Sequence, residues 1–242
     1  MQDEYSIDTV ALREMLQAQR RTQMKGGIYH YNQIDFAYNS NRIEGSRLTH
    51  EQTRYIFETK TVEGMAPVND VIEMVNSFRL FDQMLDKLDT PLTAEKMKEY
   101  HRILKAGTLD AQQDWFVVGD WKKLGNVVGE TETTKPEDVE GAIATLLASF
   151  PQSEVLSFDD IIDFHWRFES IHPFQDGNGR IGRIIMFEQC LQNDILPFIV
   201  LDDEKYYYYR GLQEYPTEKG FLLDTCRSFQ DKYFATYKDM VA

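Results

Sequence analysis

Ser157-Phe-Asp-Asp-Ile-Ile-Asp-Phe-His-Trp-Arg-Phe-Glu-Ser-Ile171-His-Pro-Phe-Gln-Asp-Gly-Asn-Gly-Arg-Ile-Gly-Arg183-Ile-Ile-Met-Phe-Glu-Gln-Cys-Leu191 decides how this chain folds. Ile161, Phe164, Phe168 and Ile171 recur at helical spacing and predict a buried stripe, with Ser157 and Asp160 as its capping box. Pro173 ends that helix near His172, because the residue before a proline is pushed out of the helical region. A second core helix begins around Asn178 or Gly179 and carries Ile181, Ile184, Phe187 and Leu191. Two core helices therefore flank a short loop rich in glycine and charge.

Outward from this pair the helical period persists. It predicts helices over 8–23, 28–44, 68–88, 93–105, 136–150, 202–215 and 217–237, and one opened by a Thr49/Gln52 capping box. Gly45 and Gly107 sit where a helix would close. Only Phe116 to Gly129, β-branched, aromatic and punctuated by glycine, breaks the pattern and reads as a hairpin. No linker or repeat divides the sequence. The expected fold class is all-α, one domain over residues 1–242 with a short β-hairpin.

Composition narrows the function. Of 242 residues, 42% are hydrophobic, enough for a full core. The longest apolar run, Ile195 to Leu201, is too short to span a bilayer. The acidic, polar start carries no secretory pattern. Cys190 and Cys226 sit in amphipathic stretches and read as a buried, reduced pair, so a cytoplasmic location is expected. Forty acidic against 26 basic residues, a net charge of −14, argue against a nucleic-acid partner.

The loop from His172 to Arg183 carries the chemistry. Gly177 and Gly179 let backbone approach a ligand without Cβ interference. The free N–H groups of a helix start form a phosphate cradle. Arg180 and Arg183, three apart, emerge together and can fork onto phosphate oxygens. Asp176 offers a hard oxygen to Mg²⁺ already carried by phosphates. His172 can take a proton near neutral pH. Gly177-Asn-Gly-Arg-Ile-Gly182 also matches a dinucleotide fingerprint with Asp202 downstream, but that fingerprint needs a preceding strand where a helix is expected here.

The same segment resembles the Fic signature, His-x-Phe-x-Asp/Glu-Gly-Asn-Gly-Arg-x-x-Arg, with every specified position filled. The resemblance covers roughly residues 35 to 215. It implies a protein adenylyltransferase: His172 as general base on a Tyr, Thr or Ser hydroxyl, Phe174 as anchor, and Asp176 as the Mg²⁺ ligand. It further implies Gly177, Asn178 and Gly179 as anion hole, and Arg180 and Arg183 on the β- and γ-phosphates of ATP. The kinase branch replaces the second glycine with lysine, so an intact Gly179 favours AMP transfer. The hairpin, about 116–131, resembles the flap that adds a strand to the target chain. Val128, Gly129, Glu130 and Thr131 match its nucleotide-side positions, with Glu130 where a basic residue or histidine is more usual. Tyr208 and Tyr209 match a tyrosine pair of the adenosine pocket.

Within a region spanning about 28–45, Ser40-Asn-Arg-Ile-Glu44-Gly45 resembles the family's inhibitory motif, Ser/Thr-x-x-x-Glu-Gly/Asn. Ser40 and Glu44 fall on one helix face, and a carboxylate there could pair bidentately with Arg183. In some members this glutamate also supports removal of AMP. His165 and His101 read as core residues, and His30 and His50 as surface or capping positions. Transfer of UMP or phosphocholine, and a slow nucleotide-binding module, stay open as alternatives. So do self-modification, homo-oligomer formation and the identity of the target.

Overall fold

The computed structural model describes residues 7–129, 131–151 and 154–241. Among the described residues ten α-helices run in the order α1 Thr9–Thr22, α2 Ile28–Ile43, α3 His50–Thr59, α4 Val68–Asp86, α5 Ala94–Leu104, α6 Val139–Ser149, α7 Phe158–Ile171, α8 Asn178–Gln192, α9 Lys205–Glu214 and α10 Gly220–Val241. The expected all-α class holds. Both capping boxes form: Thr49 with Gln52 opens α3, and Ser157 with Asp160 opens α7.

The centre of the molecule is α8. Every residue from Arg180 to Leu191 is buried, because α2, α4, α5 and α7 surround it. Phe187 meets Phe36 of α2 and Phe81 of α4 with ring centroids 5.7 and 5.4 Å apart. Its one buried carboxylate, Glu188, is compensated by the Lys96 ammonium and by the Tyr100 hydroxyl, which donates at 2.9 Å. A helix so enclosed places its N-terminus at a fixed point, and that point is the end of the loop from His172 to Gly177.

Helix α2 is tied to α10 by two hydrogen bonds. Tyr233 of α10 donates to Asn32 at 2.7 Å, and Tyr237 donates to Asp35. The C-terminus of α2 closes in a Schellman motif. Ser46 N–H returns to the Asn41 carbonyl and Gly45 N–H to the Arg42 carbonyl, both at 3.0 Å, with Gly45 at φ +93°. That geometry fixes Glu44 as the capping residue.

Several expectations need correction. The hairpin ladder is short: β1, Val127–Val128, pairs antiparallel with β2, Thr131–Glu132, and residues 116–126 form turns instead. The reason is that their side chains are engaged elsewhere. Phe116 stacks on His101, Trp121 packs on Phe174, and Gly119 N–H donates to His101 Nδ1 at 2.9 Å. The helices expected from 136, 202 and 217 open later, two of them after 3-10 turns at Pro136–Asp138 and Asp202–Glu204. His30 is buried, accepting from Gly26 N–H at 3.1 Å and meeting Glu58 at 3.0 Å. His50 is exposed on α3, and His101 and His165 are fully buried. Cys190 and Cys226 are buried free thiols. Among the described residues no helix is long and apolar enough to cross a membrane.

Candidate active site

The loop between α7 and α8 is shaped by its own residues. His172 caps α7 in the left-handed region, φ 52°, a costly conformation for a non-glycine residue, and Pro173 keeps the helix from continuing. Phe174 is fully buried and stacks on His101, centroids 4.2 Å apart and planes within 8°. Asn178 then closes the loop: Phe174 N–H donates to its Oδ1 at 2.8 Å, and its Nδ2 donates to the Phe174 carbonyl at 2.9 Å. With its side chain so engaged, Asn178 offers the cradle only its backbone N–H. Gly177, at φ +82°, turns the chain into α8.

The two arginines expected to face phosphate both meet carboxylates. Arg183 donates to Glu44 Oε1 at 2.6 Å, to Ser40 Oγ at 3.0 Å and to the Ser40 carbonyl at 3.0 Å. The contact with Glu44 is through one oxygen rather than the expected bidentate fork, since Nε of Arg183 is taken by Ser40. The Glu44 carboxylate lies directly against Gly179, where a Cβ would collide with it. An anionic side chain thus sits on the helix N-terminus. Arg180 donates to Glu73 at 2.7 Å and to Asp176 at 3.0 Å.

Asp176, 45% exposed at its side chain, also takes the Lys105 ammonium at 2.7 Å. Burial works to raise its carboxyl, but Arg180 and Lys105 bring it well below the usual carboxylate range. Glu73, Asp110 and Asp176 place ligand oxygens within 4.8 Å of one another, a hard-donor group of the kind that holds a divalent cation. A cleft of about 340 Å³ opens over Glu44, Glu73, Asp176 and Arg180.

His172 is half-buried, and that burial, with Lys122 nearby, lowers its basicity. Its Nδ1 lies 3.3 Å from the Glu169 carbonyl, so an Nδ1–H tautomer leaves Nε2 as the acceptor. The turn before β1 is tied to this loop. Lys122 N–H donates to the Pro173 carbonyl at 2.9 Å, and Asn126 Nδ2 to the Phe174 carbonyl at 3.1 Å. Burial pushes the Lys122 ammonium down to about 8 while Asn126, Thr133 and the Ile171 carbonyl accept its protons.

The tyrosine pair divides. Tyr208 is buried, its hydroxyl 2.6 Å from His165 Nε2, whereas Tyr209 is 45% exposed and donates to the Ile43 carbonyl at 3.2 Å. Gly129 turns between β1 and β2 at φ +61°. Val128 and Thr131 belong to the strands, and Glu130 lies outside the described residues. Sequence reading missed Glu73, Lys105, Lys122 and Glu169. The first three lie outside the loop motif and resemble surface charges. Glu169, one turn before His172, had only its position as a signal.

A helix start, a group of close carboxylates, two buried arginines and a histidine are thus gathered at one loop. The chain matches, over residues 91–190, the family model described as Fic/DOC family. It is 28% identical over 187 residues to "Protein adenylyltransferase Fic" of Nematostella vectensis, covering 73% of this chain and 42% of that one. It is 26% identical over 184 residues to "Protein adenylyltransferase fic-1" of Caenorhabditis elegans, covering 73% and 35%. The chain thus spans less than half the length of these curated relatives. A Fic domain containing signaling protein from Bacteroides thetaiotaomicron superposes with TM-score 0.75 at 18% identity, covering 95% of each chain. Fic-1 of C. elegans superposes with TM-score 0.71 at 18% identity, covering 96% of this chain and 71% of that one.

Proposed function

We propose that the chain transfers AMP from Mg²⁺-ATP to a Tyr, Thr or Ser hydroxyl of a protein, under restraint by Glu44. The observation that carries this reading is the seat of the Glu44 carboxylate against Gly179, paired with Arg183 at 2.6 Å. A site that accommodates an anionic oxygen at a helix start beside a buried guanidinium is chemically suited to a terminal phosphate.

The mechanism follows from the positions of the side chains. Backbone N–H groups of Gly177, Asn178 and Gly179 would receive phosphate oxygens, with Arg180 and Arg183 neutralising the outer ones. Asp176, whose Oδ1 is taken by neither Lys105 nor Arg180, would hold Mg²⁺, which would supply charge neutralisation when bound. His172 accepts the target hydroxyl proton at Nε2, its other nitrogen fixed by the Glu169 carbonyl. The hydroxyl oxygen then attacks the α-phosphorus, the bond to the β-phosphate breaks, and pyrophosphate leaves.

The turn at Gly129 would lie toward the nucleotide, and the short ladder would receive an extended target segment. Tyr209, the exposed member of its pair, is the better candidate for contact with adenosine. Two unpaired buried thiols fit a cytoplasmic setting. Glu44 and Ser40 together occupy Arg183, so nucleotide binds productively only when the end of α2 moves. The test follows the α-phosphate. Label from α-labelled ATP on protein, with release of pyrophosphate and loss in His172→Ala, supports the reading, and transfer of γ-label contradicts it.

A further inference from the structure

Lys105 follows the last helical residue of α5, where a lysine would ordinarily reach into water. Its side chain is instead 0% exposed. Nζ lies 2.8 Å from Glu73 Oε1, 2.9 Å from Asp110 Oδ2 and 2.7 Å from Asp176 Oδ2, and 5.5 Å from the Phe116 ring centre. The three carboxylates come from α4, from the 3-10 turn Asp110–Gln112 and from the loop. They are also the group whose oxygens lie close enough to share one cation.

An ammonium with three carboxylate partners at these distances occupies the position a divalent ion would take in an all-oxygen cage. Asp176 is engaged asymmetrically, since both Lys105 and Arg180 bond to Oδ2. Oδ1 is the oxygen that neither cation takes.

We propose that Lys105 is a positioning residue whose ammonium acts as the resident cation of the Glu73–Asp110–Asp176 cage, excluding a second divalent ion and orienting Asp176 toward the phosphates. The cage stands on the carboxylates alone; only the orientation of Asp176 toward nucleotide rests on the AMP-transfer reading. Without the ammonium, three close carboxylates repel one another and a divalent ion that binds them stabilises the fold by mass action.

The test is a melting curve of the nucleotide-free protein against rising Mg²⁺ or Ca²⁺, with Mn²⁺ binding counted by electron paramagnetic resonance. K105M is expected to melt below the native chain without added cation. Its melting temperature should then rise more steeply with cation than the native chain's. It should also bind about one more Mn²⁺ per chain than the native protein, as three hard ligands predict. K105M/D110N, which removes one carboxylate, should lose most of the added response and recover part of the lost stability. K105M recovered only in the presence of divalent cation is the same result in stronger form. A K105M variant with the native cation response, one that folds at no cation concentration, or a double variant that keeps the full response would overturn the proposal. Because no nucleotide is present, such a failure is separable from a failure of AMP transfer.

Discussion

Arg183 Nη2 holds the Glu44 carboxylate at 2.6 Å and the Ser40 carbonyl at 3.0 Å, while its Nε takes the Ser40 hydroxyl. The guanidinium read as a phosphate ligand is thus occupied by the end of α2, and Ser40 and Glu44, four residues apart, act on it together. Hydrogen bonds to charged groups contribute about 1.5–3 kcal/mol each. Removing the carboxylate in Glu44→Gly should therefore raise AMP transfer roughly 10- to 100-fold. Initial rates of α-label incorporation measure this, and a rate unchanged from native would remove Glu44 from any restraining role.

If His172 is the base, as proposed, the acid limb of the rate profile reports it. Burial, with Lys122 beside it, lowers its pKa below the ordinary 6.5, so the neutral base persists into mildly acidic solution. The midpoint of the acid limb should therefore lie below pH 6.5. A limb already falling at pH 7.5 would assign the titration to another group. His172→Ala should abolish transfer while ATP binding, followed by calorimetry, is retained.

Phe174 anchors the loop by stacking on His101 in full burial. Phe174→Ala should cost about 3–5 kcal/mol, lowering the melting temperature by roughly 6–20 °C. A change under about 1 kcal/mol would mean that the loop holds without its anchor.

Glu169 makes a pH prediction of definite sign. Burial pushes its carboxyl from 4.5 up to about 8. The unfolded chain loses that proton above 4.5 and the folded chain keeps it, so the native state binds more protons across the window. This contribution to stability is whole below 4.5 and is lost as pH rises to about 8. Glu169→Gln cannot ionise. Relative to the native chain it should gain stability from pH 5 to pH 8, by an amount on the order of a few kcal/mol. Denaturant titrations at the two pH values decide, and a difference independent of pH would contradict the burial of a neutral acid.

Much of this was legible in sequence because it is local. Capping boxes at Thr49 and Ser157, the break at Pro173 and the stripe of α7 all depend on residues within a few positions of one another. The loop motif was legible for the same reason. What was not legible is long-range: Lys105 meets Asp176 across 71 positions, and nothing local distinguishes it from a solvated lysine. The stretch 116–126 looked like strand by composition, yet Phe116, Trp121 and Lys122 are committed to His101, Phe174 and the loop carbonyls. Tertiary contacts overrode β propensity there. His30 was misplaced because its partner Glu58 lies on α3, 28 residues away.

The most direct measurement compares ATP labelled at the α- or the γ-phosphate, incubated with Mg²⁺ and the native chain, Glu44→Gly or the double variant Glu44→Gly/His172→Ala, with and without cell lysate. The account predicts protein labelled from the α position only, strongest in Glu44→Gly and absent when His172 is also replaced. Label arriving from the γ position, or α-label that survives the loss of His172, would contradict it.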